Sequence, residues 1–252
     1  MCKKKTVWIT GAGKGIGKAL AKQLAQEGWT VAASSRTKQD LEDLRRECPP
    51  ESLYIFPLDV TDEVATRKAF DSIEEQIGEI NLSIFNAGTH IPVSVKNFST
   101  RAIRDTVEVN LMGTVHGLGQ VIPQFIKRQR GHIVVVSSLA GYRGLPTSSG
   151  YGATKAALIN MCEALKPELE KFNVTLTLVC PGFVKTPLTD KNTFPMPFII
   201  SAELAASIII KKLNKRSFEI AFPVTLTCAM KIVRVVPNWL LFFLTRNLIN
   251  KS

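Results

Sequence analysis

The sequence lacks several features that would settle its class at once. None of its five cysteines (Cys2, Cys48, Cys162, Cys180, Cys228) stands in a CxxC pair, so reduced thiols are expected rather than a disulfide framework. The three histidines, His90, His116 and His132, lack HExxH or HxxxH spacing, which leaves a metal centre without support. A GxSxG hydrolase elbow is missing too,. No uncharged apolar run reaches the ~17–25 residues of a membrane span; the candidates Ile220–Met230 and Val235–Thr245 hold 11 residues each between charges. The apolar run after Lys3, Lys4 and Lys5 stops at Thr10-Gly11, short of the ~7–15 residues in the core of a signal peptide. It reads as a short buried strand, and the chain as cytoplasmic.

Acidic residues are scarce: 21 Asp and Glu face 32 Lys and Arg, a formal charge of +11. The imbalance is concentrated, because residues 203–252 carry eight basic and two acidic side chains. Charge alone admits nucleic acid, an anionic membrane or an anionic ligand. No nucleic-acid recognition motif accompanies it, so no nucleic-acid partner is expected. With 252 residues, 45% of them hydrophobic, the chain can bury a sizeable core, and disorder is excluded as its main state.

What is present is a rhythm. Short β-branched runs at Thr6–Thr10, Thr30–Ser34, Leu53–Leu58, Leu82–Phe85, His132–Ser137 and Val174–Cys180 alternate with helical patterns over 16–27, 38–47, 62–77, 101–130 and 150–171. Strands separated by helices predict parallel βαβ units in a doubly wound α/β domain. One such domain is expected over residues 1–222, with an apolar, basic helical extension over 223–252.

Directly after the first strand stands Thr10-Gly11-Ala12-Gly13-Lys14-Gly15-Ile16-Gly17. Glycines there let the backbone approach a pyrophosphate, and the start of the next helix supplies free N–H groups and a favourable dipole. Tyr151 and Lys155, four apart on a predicted helix, project from one face. An ammonium beside a phenol favours the phenolate, lowering a pKa near ~10 toward the range of acid–base catalysis.

The TGxxxGxG spacing, Asp59-Val60, Asn86-Ala87-Gly88, Asn110 in an NxxG context, Ser138 thirteen residues before Tyr151, the YxxxK of Tyr151–Lys155, and Pro181-Gly182-Phe183-Val184-Lys185-Thr186 together resemble the short-chain dehydrogenase/reductase family. The resemblance covers nearly all of the first 222 residues. It implies a Rossmann-like sheet of seven mostly parallel strands, and a nicotinamide cofactor held by Gly11, Gly13, Lys14, Gly15, Ile16, Gly17, Asp59, Val60, Asn86, Ala87, Gly88, Tyr151, Lys155, Pro181, Gly182, Val184 and Thr186. It further implies hydride transfer between cofactor and a carbonyl or secondary alcohol, with Tyr151 as general acid and base. Lys155 would hold the nicotinamide ribose, Ser138 would orient the carbonyl, and Asn110 would support a proton relay. Homodimers or homotetramers built on the long helices around Asn110 and Tyr151 are implied as well.

NAD users of the family tend to carry an acidic residue at the end of the second strand. Here that stretch is Ala33-Ser34-Ser35-Arg36, and Arg36, helped by Lys14 and Ser35, suits a 2′-phosphate. The expected activity is therefore that of an NADP(H)-dependent short-chain dehydrogenase or carbonyl reductase. A non-catalytic NADP-binding sensor on the same fold is the alternative. Phe194, Met196, Phe198 and Ile199 fall where the family places its variable substrate lid, and they predict an apolar cleft for a hydrophobic, lipid-like substrate. Beyond residue 222, Trp239–Leu244 flanked by Lys231, Arg234, Arg246 and Lys251 suits three occupants. These are the cytoplasmic face of an anionic membrane, a subunit contact, and a roof over the active site.

Overall fold

Parallel strands with helices crossing between them make up most of the computed structural model, which describes residues 5–191 and 195–249. Cys2, Lys3, Lys4, Phe194 and Lys251 lie outside the described residues. The elements in chain order are β1 Thr6–Thr10, α1 Gly15–Gln26, β2 Thr30–Ser34, α2 Lys38–Arg46, β3 Leu53–Ile55, α3 Glu63–Gln76, β4 Ile80–Phe85, α4 Thr100–Val107, α5 Gly113–Arg128, β5 Gly131–Val136, α6 Ser149–Glu170 and β6 Val174–Pro181. A small ladder of β7 Val184–Lys185 and β8 Ile200–Ser201 follows, then α7 Ala202–Leu213, β9 Glu219–Phe222, α8 Val224–Val235 and α9 Asn238–Ile249.

Seven strands form one sheet in the order β3-β2-β1-β4-β5-β6-β9, every neighbouring pair parallel. The order reverses between β1 and β4, and a crevice opens beyond the carboxyl ends of strands at such a switch point. Alternation along β1 divides the core. Val7 and Ile9 pack with Leu20, Leu24 and Ile209 on one face, and Trp8 with Phe70, Phe85 and Phe125 on the other. Trp8 donates its indole N–H to Ser34 Oγ at 3.0 Å and meets Phe85 edge-on at 5.8 Å, so its one polar atom is satisfied inside the core. Each such fully buried side chain contributes about 1.5–3 kcal/mol.

The structure departs from the sequence reading in four places. The single helix expected over 101–130 is α4 and α5 joined by a π-helical turn, Glu108–Met112. That wider turn carries Asn110 into the interior at 0% exposure, and such turns recur at functional positions. Strand β3 ends at Ile55, although Phe56 and Leu58 still donate to Ala33 O and Ser35 O. Helix α7, capped by Ser201, was not anticipated. The apolar run Ile220–Met230 is divided at Pro223, with β9 before it and α8 after it.

Helix α5 lies close to the sheet because Gly117 faces Phe85. A Cβ there would stand 2.2 Å from Phe85 Cε1, a contact that requires the ring or the helix to move. Gly117→Ala is therefore expected to destabilise the fold by about 1–3 kcal/mol through overpacking, read as a lower denaturant midpoint with an unchanged slope.

Candidate active site

The glycine turn after β1 is held from the side by β4. Asn86 donates its Nδ2 to both Thr10 O and Gly11 O at 3.2 Å, while the N–H groups of Asn86 and Ala87 reach Thr10 Oγ1 at 3.1 and 3.2 Å. Gly11 has φ +66°, and a Cβ on it would lie 2.8 Å from Ala87 Cα; at Gly17 a Cβ would lie 2.2 Å from Gly11 O. Only glycine fits either position. Helix α1 begins behind the turn with no side chain capping it and no acidic residue in its first turn, so its leading N–H groups remain for an anion.

Opposite the turn, the Ser138, Tyr151 and Lys155 side chains share one cleft. A cavity of about 110 Å³ is lined by Ile16, Asn86 and Gly88, by Val136, Ser137, Ser138, Tyr151 and Lys155, and by Pro181, Gly182, Val184, Thr186, Leu188 and Thr189. A larger hollow of about 420 Å³ between α1 and α7 shares Thr186 with it, but none of Asn110, Ser138, Tyr151 and Lys155 lines it. The cleft is the candidate site because the titratable groups converge there.

Lys155 is 4% exposed and donates its Nζ to Val136 O at 2.9 Å. Ser137 Oγ donates to Lys155 O at 2.8 Å, fastening α6 to the end of β5. Burial lowers the Lys155 pKa from 10.5 to about 8. Tyr151 is half-buried, with its ring centroid 5.6 Å from Lys155 Nζ. Its phenol pKa is raised by burial, against the opposing effect of a hydrogen bond with Ser138. This departs from the expectation that Lys155 lowers it, because burial of the phenol outweighs the groups around it. Ser138 Oγ accepts from Ala140 N at 3.1 Å and reaches Pro181 O at 3.4 Å.

Asn110 lies behind these groups. Its Oδ1 accepts from Thr89 N at 2.7 Å, and its Nδ2 donates to Thr89 O and Thr154 Oγ1, both at 3.0 Å. The carboxamide thus braces the strand end that carries Gly88 against helix α6. A Cβ on Gly88 would lie 3.4 Å from Asn110 Oδ1 and 3.6 Å from Lys155 Nζ.

The outer part of the cleft is more open. Asp59 is exposed and accepts from Thr61 N and Oγ1, while Val60 is buried. Arg36 is exposed, and Ser35 Oγ stands 2.9 Å from where a Cβ on Gly13 would be. Phe198 and Ile199 are 58% and 41% exposed, so they do not wall the cavity as expected. Among the described residues, its apolar wall is Ile16, Val136, Val184 and Leu188.

Three participants escaped the sequence reading. Asp40, one turn into α2, pairs with Lys14 at 3.3 Å and lies beside Gly13 and Ser35, placing a carboxylate where none was foreseen. His90 meets the Tyr151 ring edge-on at 5.0 Å, and its place two residues after Gly88 was the available signal. Thr154, inside the YxxxK segment, holds Asn110.

The buried Lys155 has a thermodynamic signature. Its pKa is about 8 folded against 10.5 ordinarily, so the unfolded chain binds more protons between those values and stability rises with pH across them. The charged form costs stability below pH 8, and deprotonation relieves that cost. Lys155→Met is expected to lack this rise, which is of order 3 kcal/mol. Denaturant midpoints of both proteins, measured from pH 7 to pH 10.5, read the difference.

Comparison with known proteins agrees with this geometry. Residues 5–195 match the family model described as short chain dehydrogenase. An uncharacterized oxidoreductase of Myxococcus xanthus (strain DK1622) is 36% identical over 236 residues, covering 93% of each chain. The solved structure of ElxO with NADP bound superposes over 86% of this chain and 96% of its own, with a TM-score of 0.78 and 25% identity. A short chain dehydrogenase/reductase from Burkholderia phymatum in complex with NAD shares the fold, with a TM-score of 0.82, 23% identity, and coverage of 92% and 94%. The chain belongs to the short chain dehydrogenase family of oxidoreductases.

Proposed function

We propose that the protein is an NADPH-dependent oxidoreductase interconverting a carbonyl and a secondary alcohol on a hydrophobic, lipid-like substrate. The observation that carries this reading is the convergence of Ser138, Tyr151 and Lys155 on one cleft, braced by Asn110, across from an uncapped glycine turn. The residues fit a dinucleotide: side chains are excluded at Gly11 and Gly17, and the first amides of α1 point toward the turn. ElxO and the Burkholderia protein carry NADP and NAD, respectively, which supports a nicotinamide cofactor. When bound, that cofactor supplies or accepts the hydride.

The protein residues handle the proton and the geometry. The raised phenol pKa keeps Tyr151 protonated, so it serves as the acid that delivers a proton to the oxygen of a carbonyl under reduction. Ser138 is beside it to hydrogen-bond that oxygen. Lys155, with its pKa brought down to about 8, lines the same cleft and adds to it a group that titrates near neutral pH,. Asn110 fixes Thr89, next to Gly88, and Thr154, next to Lys155, and so braces two residues that line the cleft. The apolar wall of Ile16, Val136, Val184 and Leu188 favours a hydrophobic substrate. Within the same reading, residues 1–222 form the catalytic unit and copies associate through α5 and α6.

The preference for NADPH rests on Arg36, Ser35 and Lys14, with Asp40 opposing it. Arg36→Asp is expected to lower kcat/KM for NADPH by roughly tenfold or more, whereas Asp40→Asn raises it. A native enzyme that prefers NADH, unaffected by Arg36→Asp, would overturn the assignment. Tyr151→Phe is expected to reduce turnover by about 10²–10⁴-fold while NADPH fluorescence titration still shows binding. Undiminished turnover would refute the role of the tyrosine.

A further inference from the structure

The two helices beyond the sheet expose an apolar face that the cleft does not use. On α9, Trp239, Phe242, Phe243 and Arg246 follow at intervals of three, one and three residues, which places them on a single helical face. Trp239 is 71% exposed, Phe242 54% and Phe243 63%, whereas Leu241 is buried. On α8, Ile232 and Val235 are likewise exposed. From Ile220 to Ser252 the chain contains four Lys or Arg and neither Asp nor Glu.

These basic residues divide into two groups. Lys231 hydrogen-bonds to Glu219 on β9. Arg234 pairs with Glu163 at 3.4 Å and stands 5.6 Å from the centroid of the Tyr142 ring. From the domain, Arg143 donates to Val236 O at 3.1 Å and Asn238 Oδ1 at 2.6 Å. These contacts clasp α8 and the start of α9 to the domain. Arg246 lies outside the clasp, exposed at the far end of the aromatic face.

Helix α9 has 12 residues, about 18 Å at 1.5 Å per residue, against about 30 Å of hydrocarbon in a bilayer. No helix among the described residues is long and apolar enough to cross a membrane. An aromatic face with a basic end and no acidic residue is the chemistry of a helix lying in the interface of an anionic bilayer. There the rings enter the acyl boundary and cations meet the headgroups.

We propose that the exposed face of α8 and α9, centred on Trp239, Phe242 and Phe243, is a docking surface for an anionic lipid bilayer. Lys231, Arg234 and Arg143 hold the catalytic domain to it in one orientation. The proposal goes beyond the oxidoreductase reading, and its test needs neither cofactor nor substrate, so either can fail without the other.

The test is flotation of the full chain with vesicles of phosphatidylcholine mixed with phosphatidylserine, and with vesicles of phosphatidylcholine alone. The native protein is expected to float with the mixed vesicles and more weakly with the neutral ones. The combined variant Trp239→Ser, Phe242→Ser, Phe243→Ser is expected to lose more than about tenfold in partitioning with its circular dichroism unchanged. Trp8 is 1% exposed and Trp29 half-buried, so a blue shift of tryptophan emission on adding mixed vesicles reports Trp239. That shift is expected to vanish in Trp239→Phe while flotation persists, a readout that stands even if the triple variant misfolds. Failure of the native protein to float with mixed vesicles, equal flotation of native and triple variant, or no emission shift would each overturn the proposal. So would a dimer by light scattering that the triple variant abolishes while neither protein floats, because the face would then belong to a second copy.

Discussion

One carboxamide, that of Asn86, joins the two halves of the sheet where their order reverses. It donates to Thr10 and Gly11 on the β1 side from its seat at the end of β4. Parallel strands have no hairpin to fix their neighbouring ends, and these hydrogen bonds extend the β1–β4 ladder into the two loops that face the crevice. The glycines serve that contact: a Cβ at Gly17 would lie 2.5 Å from Asn86 Nδ2. The position of α1, and hence of the amides facing the cleft, follows from this joint.

Across the crevice the constraint is electrostatic. An ammonium in a nearly dry site is costly, and Lys155 is retained with Val136 O as an acceptor and a lowered pKa. Burial acts in opposite directions on its neighbour, raising the phenol of Tyr151. The same low-dielectric pocket therefore moves the two values apart, favouring neutral forms of both,.

Much of this was legible in the chain. β1 and β2 ended where the β-branched runs end, since a strand buried on both faces writes itself as an unbroken apolar word. The glycine turn, Asn86, Ser138, Tyr151 and Lys155 were legible because each motif is local. What escaped depends on packing between segments distant in sequence. Asp40 reaches Lys14 only because α2 folds back over the turn. The π-helical turn at Asn110 leaves no signature in hydrophobic spacing, and the residues that Asn110 holds, Thr89 and Thr154, are distant in sequence. The phenol pKa departed from expectation because sequence spacing shows which groups are near, not how deeply the fold buries them.

Glu219 joins parts of the molecule that the sequence treats as separate. Burial works to raise its carboxyl pKa, but hydrogen bonds from Lys231 and Tyr142 outweigh that and hold it below the usual carboxylate range. Tyr142 closes the short turn that Ser138 opens. Shortening the chain before α8 to obtain a better-behaved crystallisation sample would therefore not yield an untouched core. It would remove one of two donors from a half-buried carboxylate and leave it leaning on the phenol that closes the Ser138 turn. Any activity lost by such a truncate would report on that loop as much as on the missing helices.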